Sequence, residues 1–130
     1  MRAPRKRQER PMSRQEAERR GHMAEALAAL SLQLRGYRIL ARRHKTPLGE
    51  IDLIVKRGEI IAFVEVKARA DERAAIDAVS HTTATRIRGA SDLWIAAHMK
   101  RGVDLSRISY RYDIVAITPW RWPRHFIDAF

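Results

Sequence analysis

Two short apolar runs dominate the pattern of the chain. Ile51, Asp52, Leu53, Ile54 and Val55 form the first, and Ile60 to Val66 (IIAFVEV) form the second. Both are rich in β-branched residues and lie a few residues apart, the pattern of paired strands joined by a tight turn at Arg57-Gly58. Such a turn pairs Lys56 with Glu59 and Asp52 with Phe63. Upstream, Ser13-x-x-Glu16 has the form of a capping box. Met23, Leu27, Leu30 and Leu34 then follow at i, i+4, i+7 and i+11, which predicts an amphipathic helix with that stripe buried, ending before Gly36.

The remaining periodic segments complete an α/β order. Tyr37 to Arg43 alternates and predicts a first strand. Ser80 to Lys100 predicts a second long helix with Ile87, Ala90, Trp94 and Ala97 on its buried side and Leu93 adjacent. Tyr110 to Ile117 predicts a buried strand, and the helix before it makes a right-handed crossover that implies parallel pairing with the Glu65 strand. The expected fold is a three-layer-like sandwich: a mixed central sheet, antiparallel meander plus parallel crossover strand, flanked by helices. Ala70 to Arg73 reads as a mobile loop. Trp120, Trp122, Pro123, His125 and Phe126 form a C-terminal aromatic cluster, expected to close the core or make a dimer contact, with base stacking as the alternative.

Charge changes the picture more than composition does. The 130 residues suit one domain, expected over 13–130, and 45% hydrophobic residues suffice for a core. With 26 Lys+Arg against 15 Asp+Glu, the net charge is +11, which favours a polyanionic partner, nucleic acid before membrane. Residues 1–12 are expected to be a disordered basic arm. No Cys is present, which excludes disulfides and thiolate metal sites. No apolar run is long enough to span a membrane and no apolar signal core precedes the domain, so a cytoplasmic location is expected. The five His lack H-x-x-H or H-x-x-x-H spacing, against a zinc site.

The candidate chemistry lies inside the two apolar runs. Asp52 interrupts the first, and Glu65 and Lys67 share a face in the second. The Arg57-Gly58 register sets Asp52 diagonal to Glu65, about 7–8 Å away at Cα and near enough to share one cation. Two converging carboxylates repel and lose solvation unless something offsets their charge. Lys67 offsets one, and a divalent metal would offset the other. A half-solvated sheet face with a Glu–Lys ion pair is the bland alternative. Arg42, Arg43 and Lys45, with His44 among them, form a basic cluster beside Asp52 that could hold a phosphodiester, or could be a solvated strand end. Arg86 and Arg88, both exposed, and Arg69, which follows the E-x-K segment, are further candidates for nucleic-acid contact. By pattern alone Glu25 is a surface glutamate, opposite the Met23/Leu27/Leu30/Leu34 stripe.

These residues carry a resemblance. D…E-x-K on adjacent strands resembles the PD-(D/E)xK nuclease superfamily, and G-E-I-D-L-I…F-V-E-V-K-x-R (Gly49 to Arg69) is similar to the YraN-like family, whose fold is like that of archaeal Holliday-junction resolvases. The likeness runs from about Gly21 to Phe130 and takes in Gly36-Tyr37, Arg111-Tyr112-Asp113 and Ala129-Phe130. It implies a restriction-endonuclease-like fold and Mg²⁺-dependent (or Mn²⁺-dependent) endonuclease chemistry on nucleic acid, DNA first, with a homodimer as one arrangement. Catalytic roles would fall to Glu25, Asp52, Glu65 and Lys67, with Asp52, Glu65 and the Val66 carbonyl as metal ligands. Asp113 would be structural. One departure concerns the second helix, where the family's usual Lys is Thr83; Arg86, one turn on, is the expected substitute. A non-catalytic nucleic-acid-binding module on the same scaffold, and a basic adaptor for ribosomal RNA or protein, are the competing functions.

Overall fold

A computed structural model describes residues 11–130, so nearly all of the basic arm expected over 1–12 lies outside the described residues. The elements are α1 (Arg14–Leu34), β1 (Arg38–Thr46), β2 (Gly49–Arg57), β3 (Ile60–Ala68), α2 (Glu72–Asp77), α3 (His81–Lys100), β4 (Ser109–Ile117) and β5 (Arg124–Phe126). They build one five-stranded mixed sheet in the order β1-β2-β3-β4-β5. β1, β2 and β3 form an antiparallel meander, β4 joins β3 in parallel after the α3 crossover, and β5 returns antiparallel along β4. This is the expected α/β sandwich with β5 added.

Hydrophobic alternation splits the core between the two sheet faces. On one face α1 packs Ala24, Ala28, Ala29 and Leu32 over Leu53, Val55, Val64 and Val115. On the other, α3 packs Ile87, Ala90 and Trp94 over Ile51, Ile54, Ile61 and Phe63. The second cluster is aromatic: Phe63 meets Trp94 edge-on at 5.8 Å and stacks on Tyr112 at 5.7 Å. Truncating Phe63 would cost about 3–5 kcal/mol by the usual toll of an aromatic core cavity.

The capping box forms as the sequence predicts, with Glu16 N–H donating to Ser13 Oγ at 3.1 Å and Ser13 N–H to the Glu16 carboxylate at 3.3 Å. The face that α1 buries is different. Met23, Leu30 and Leu34 are 67%, 46% and 70% exposed, while the small residues Ala24, Ala28 and Ala29, together with Ser31 and Leu32, are buried. Small side chains let the helix lie close to the sheet, and that proximity outweighs the larger apolar stripe. In α3, Ile87, Ala90 and Trp94 are buried as expected, but Ala97 is exposed on the outer side and Leu93 is 41% exposed.

The β2–β3 turn is Gly58-Glu59, one residue later than the sequence suggests. Gly58 has φ 58°, and a two-residue hairpin of II′ type requires glycine at this first turn position. Arg57 pairs with Ile60 and Leu53 with Val64, so the register moves by two residues and each side chain keeps its face. Gly49, at the β1–β2 turn, is needed for a close approach. A Cβ there would sit 2.9 Å from both Cβ and the carbonyl oxygen of Arg86 on α3.

After β3 the expected mobile loop is short. Asp71 accepts a hydrogen bond from Ala74 N–H at 2.8 Å and caps α2, and Glu72 pairs with Arg124 of β5 at 3.0 Å. The C-terminal cluster divides. Phe130 packs against Tyr112 at 5.6 Å and Tyr37 meets His125 edge-on, whereas Trp120 and Trp122 point away from the core, 102% and 54% exposed.

Candidate active site

The strand carboxylates meet within hydrogen-bonding reach of each other, nearer than a diagonal pair requires. The regular β2–β3 ladder ends at Leu53↔Val64; carrying it one step further sets Asp52 opposite Glu65. At that step the ladder gives way to a side chain, as Val66 N–H donates to Asp52 Oδ2 at 2.8 Å. Ile51 and Ile54, three apart, share one core cluster, which strict alternation would forbid, so β2 slips around Asp52. Across β1 the pairs Arg42↔Leu53 and His44↔Ile51 leave Arg43 level with Asp52, and Arg43 has a left-handed φ of 45°. A long side chain in that conformation is strained, and such strain gathers at functional sites.

Arg43 uses this geometry to reach α1. Its Nε donates to Glu25 Oε2 at 2.6 Å and its Nη1 lies 2.7 Å from His22 Nε2. Glu25, 18% exposed, lines the same cleft as Asp52, Glu65, Val66 and Lys67. The surface position that the helical pattern gives Glu25 is therefore corrected, because α1 is turned toward its small-residue side. Lys67 Nζ lies 3.1 Å from Glu65 Oε1. Arg69 and Arg20 complete the basic wall of the cleft.

Arg20 was not singled out in the sequence, although a signal was present. Ala17, Gly21, Ala24 and Ala28 recur at helical spacing; Ala24 and Ala28 are buried, and Ala17, Gly21 and Ala24 line the cleft that Arg20 and Glu25 share. Among the other basic residues considered, Arg42 and Lys45 are exposed on edge strand β1. Arg86 and Arg88 lie on α3, across the sheet from α1, with Arg88 5.5 Å above the Tyr112 ring. The structure therefore gathers Glu25, Arg43, Asp52, Glu65, Lys67 and Arg69, and leaves Arg86 and Arg88 elsewhere.

The electrostatics of the carboxylate pair are unusual. Burial pushes Asp52 up to about 7, aided by the charge of Glu65 and, more weakly, of Glu25, against the Val66 N–H and Lys67. Burial also raises Glu65, although Lys67 opposes it and the two carboxyls share a hydrogen bond. The pair thus keeps a proton near neutrality where a cation could discharge both groups.

These donors fit a hard divalent cation. Two carboxylates are a common protein contribution to Mg²⁺ binding, with water and substrate phosphate filling the rest. Among the described residues no three His, Cys, Asp or Glu side chains are gathered to hold a metal by themselves, and Glu25 is engaged by Arg43.

A second buried acid serves the fold. Asp113, fully buried on β4, accepts hydrogen bonds from Arg111 Nε and Nη2, from His125 Nε2 at 2.6 Å and from Asp128 N–H at 2.9 Å. Burial would raise its pKa, but these bonds hold it below the usual carboxylate range. It ties β5 and the C-terminus to β4, the structural role that the resemblance implies.

No helix among the described residues is long and apolar enough to cross a membrane. The profile of the family described as "Uncharacterised protein family UPF0102" matches residues 24–117. A UPF0102 protein of Rhizobium meliloti is 57% identical over 123 residues, covering 94% of this chain and 98% of the relative. One from Rhizobium johnstonii is 59% identical over 117 residues, 90% of this chain and 93% of its own. One from Mesorhizobium japonicum is 54% identical over 123 residues, 94% and 95%. The matched span contains every acid of the cleft, from Glu25 to Glu65, and on this evidence the chain belongs to the UPF0102 family of YraN-like proteins.

Proposed function

We propose that this chain is a metal-dependent nuclease that hydrolyses phosphodiester bonds in nucleic acid, DNA in the first instance and branched DNA among the candidate substrates. One observation carries the reading: Asp52 and Glu65 are buried together, both raised in pKa, with Lys67 3.1 Å from Glu65 and arginines on the cleft wall. Such an arrangement is costly for the fold and useful to chemistry. Asp52 and Glu65 would hold Mg²⁺ or Mn²⁺, which supplies Lewis-acid polarisation of the scissile phosphate.

The chain's own residues do the rest. Lys67 faces the developing negative charge on phosphate. Arg20 and Arg69 grip flanking phosphates and exclude bulk water from the carboxylates. Arg43 is the guanidinium that a phosphate would draw away from Glu25, freeing that carboxylate to accept a hydrogen bond from water. Cleavage of branched, single-stranded and duplex DNA with Mg²⁺ or Mn²⁺, set against Glu65→Ala, tests this. Wild-type cleavage that the variant lacks is the expected result, and equal products from both would overturn it.

The engagement of Glu25 by Arg43 favours a second reading, a non-catalytic nucleic-acid-binding module on a nuclease scaffold. That protein would bind DNA with a log–log salt slope of roughly −4 to −5, for about four to six phosphates, yet show neither turnover nor Mn²⁺ stabilisation.

A further inference from the structure

The cleft does not end at the carboxylates. Arg20, Ala68 and Arg69 line both the carboxylate cleft and a neighbouring hollow that reaches Ile117, Thr118 and Pro119. Ala70, Thr118 and Pro119 continue into a third hollow with Arg73 and Arg121. One trench thus runs from Asp52 and Glu65 along the ends of β3 and β4 to the loop Pro119-Trp120-Arg121-Trp122-Pro123. Its acids beyond the carboxylate pair are engaged: Glu25 pairs with Arg43, Asp71 accepts from Ala74 N–H, and Glu72 pairs with Arg124. Four arginines, Arg20, Arg69, Arg73 and Arg121, are spaced along its length, with Arg73 also paired to Asp77 at 3.3 Å.

The loop at its end is built outward. Trp120 is 102% exposed and has φ 62°, a left-handed conformation that few residues adopt and that bulky side chains resist. Trp122, two residues on, is 54% exposed, and Arg121 between them is exposed as well. A fully exposed indole serves no core. Its flat face, next in sequence to Arg121 at the end of an arginine-lined trench, has the chemistry of a stacking platform for a base whose backbone follows the arginines.

Resting on the nuclease reading, we propose that Trp120, with Arg121, is a stacking site for an unpaired nucleobase, so that the strand in the trench is single-stranded beyond the carboxylates. A base held in a duplex presents no free face, so the site selects frayed, flapped or single-stranded nucleic acid. Two observations supply the argument, the outward indole and the continuous arginine lining.

The test measures binding of a fluorescein-labelled 20-nucleotide single strand and of its blunt duplex, in EDTA, to wild type, Trp120→Ala and Trp120→Phe. Loss of one stacked base weakens single-strand binding by about five- to a hundredfold in Trp120→Ala, while duplex binding stays within about twofold and Trp120→Phe recovers most of the loss. Trp120 is wholly exposed, so its removal leaves the fold intact, which thermal unfolding checks. Single-strand binding unchanged in Trp120→Ala overturns the platform and leaves the nuclease reading standing. An equal loss on duplex also overturns it, as a generic contact. Absence of wild-type binding to either DNA brings down both, and a Trp120→Ala defect seen only on phosphatidylglycerol vesicles reassigns the loop to a membrane surface.

Discussion

Asp52 and Asp113 are both aspartates inside strands of one sheet, and their surroundings drive them in opposite directions. Asp113 is met by Arg111, His125 and the Asp128 N–H, so its charge is fully spoken for. Asp52 receives one N–H and faces Glu65 and Glu25. Burial alone therefore marks neither function nor structure. What distinguishes a clamp from a reactive site is whether the protein itself supplies the compensating charge.

The largest effect that can break this contrast is on turnover. Asp52→Asn should reduce cleavage by about a thousandfold or more, the scale of losing preorganised charge stabilisation, with salt-dependent DNA binding nearly unchanged. Asp113→Ala should instead lower stability in urea unfolding by about 3 kcal/mol, because the half-buried Arg111 and His125 lose the carboxylate that pairs them. If Asp113→Ala folds normally, or Asp52→Asn still cuts, the two acids have been assigned the wrong way round.

Proton linkage sharpens the comparison. Asp52's pKa is raised on folding, so the native state holds more protons than the unfolded chain between about 4 and 7. Its contribution is complete below the unfolded value and is lost as pH rises through the folded one. Metal-free protein should therefore lose about 2–4 kcal/mol between pH 4.5 and 7.5, the worth of a two- to three-unit shift, and Asp52→Asn should flatten that fall. Asp113, with a lowered pKa, contributes above the unfolded carboxyl value and loses that contribution as pH falls through its folded one. Mn²⁺ should restore the stability lost at pH 7.5, by about 2.7 kcal/mol at a hundredfold excess over Kd.

Arg43 provides the smallest test. Freed of its guanidinium, Glu25 would join the other acids, so Arg43→Ala should bind Mn²⁺ about two- to fivefold more tightly, on the scale of one partly screened charge pair, read by calorimetry without substrate. Unchanged affinity would leave Glu25 outside the metal site.

Much of this contrast was legible in the sequence. The IDLIV and IIAFVEVK runs specify the central hairpin by β-branched alternation, and Asp52 and Glu65 meet in one cleft although the turn is Gly58-Glu59 and β2 slips at Asp52. Alternation is insensitive to a two-residue slip, and the carboxylate separation is not. The orientation of α1 was not legible because Ala24 and Ala28 carry little hydrophobic signal beside Met23, Leu30 and Leu34. β5 is three residues long and rests on the Asp113 network, a long-range partnership that no local pattern announces. The left-handed Arg43 and Trp120 break the rules by which strands and loops are read.

Among the described residues strand β1 lies at the edge of the sheet, and one row of its N–H and C=O groups faces no described strand. An open nine-residue edge is a template for another chain's strand, and cations along it are a common defence. Arg38, Arg42, Arg43 and Lys45 are exposed there. The cations that the proposed function would use to meet phosphate would thus also guard this edge against self-association. A variant stripped of those cations would be open to edge-to-edge stacking into aggregates.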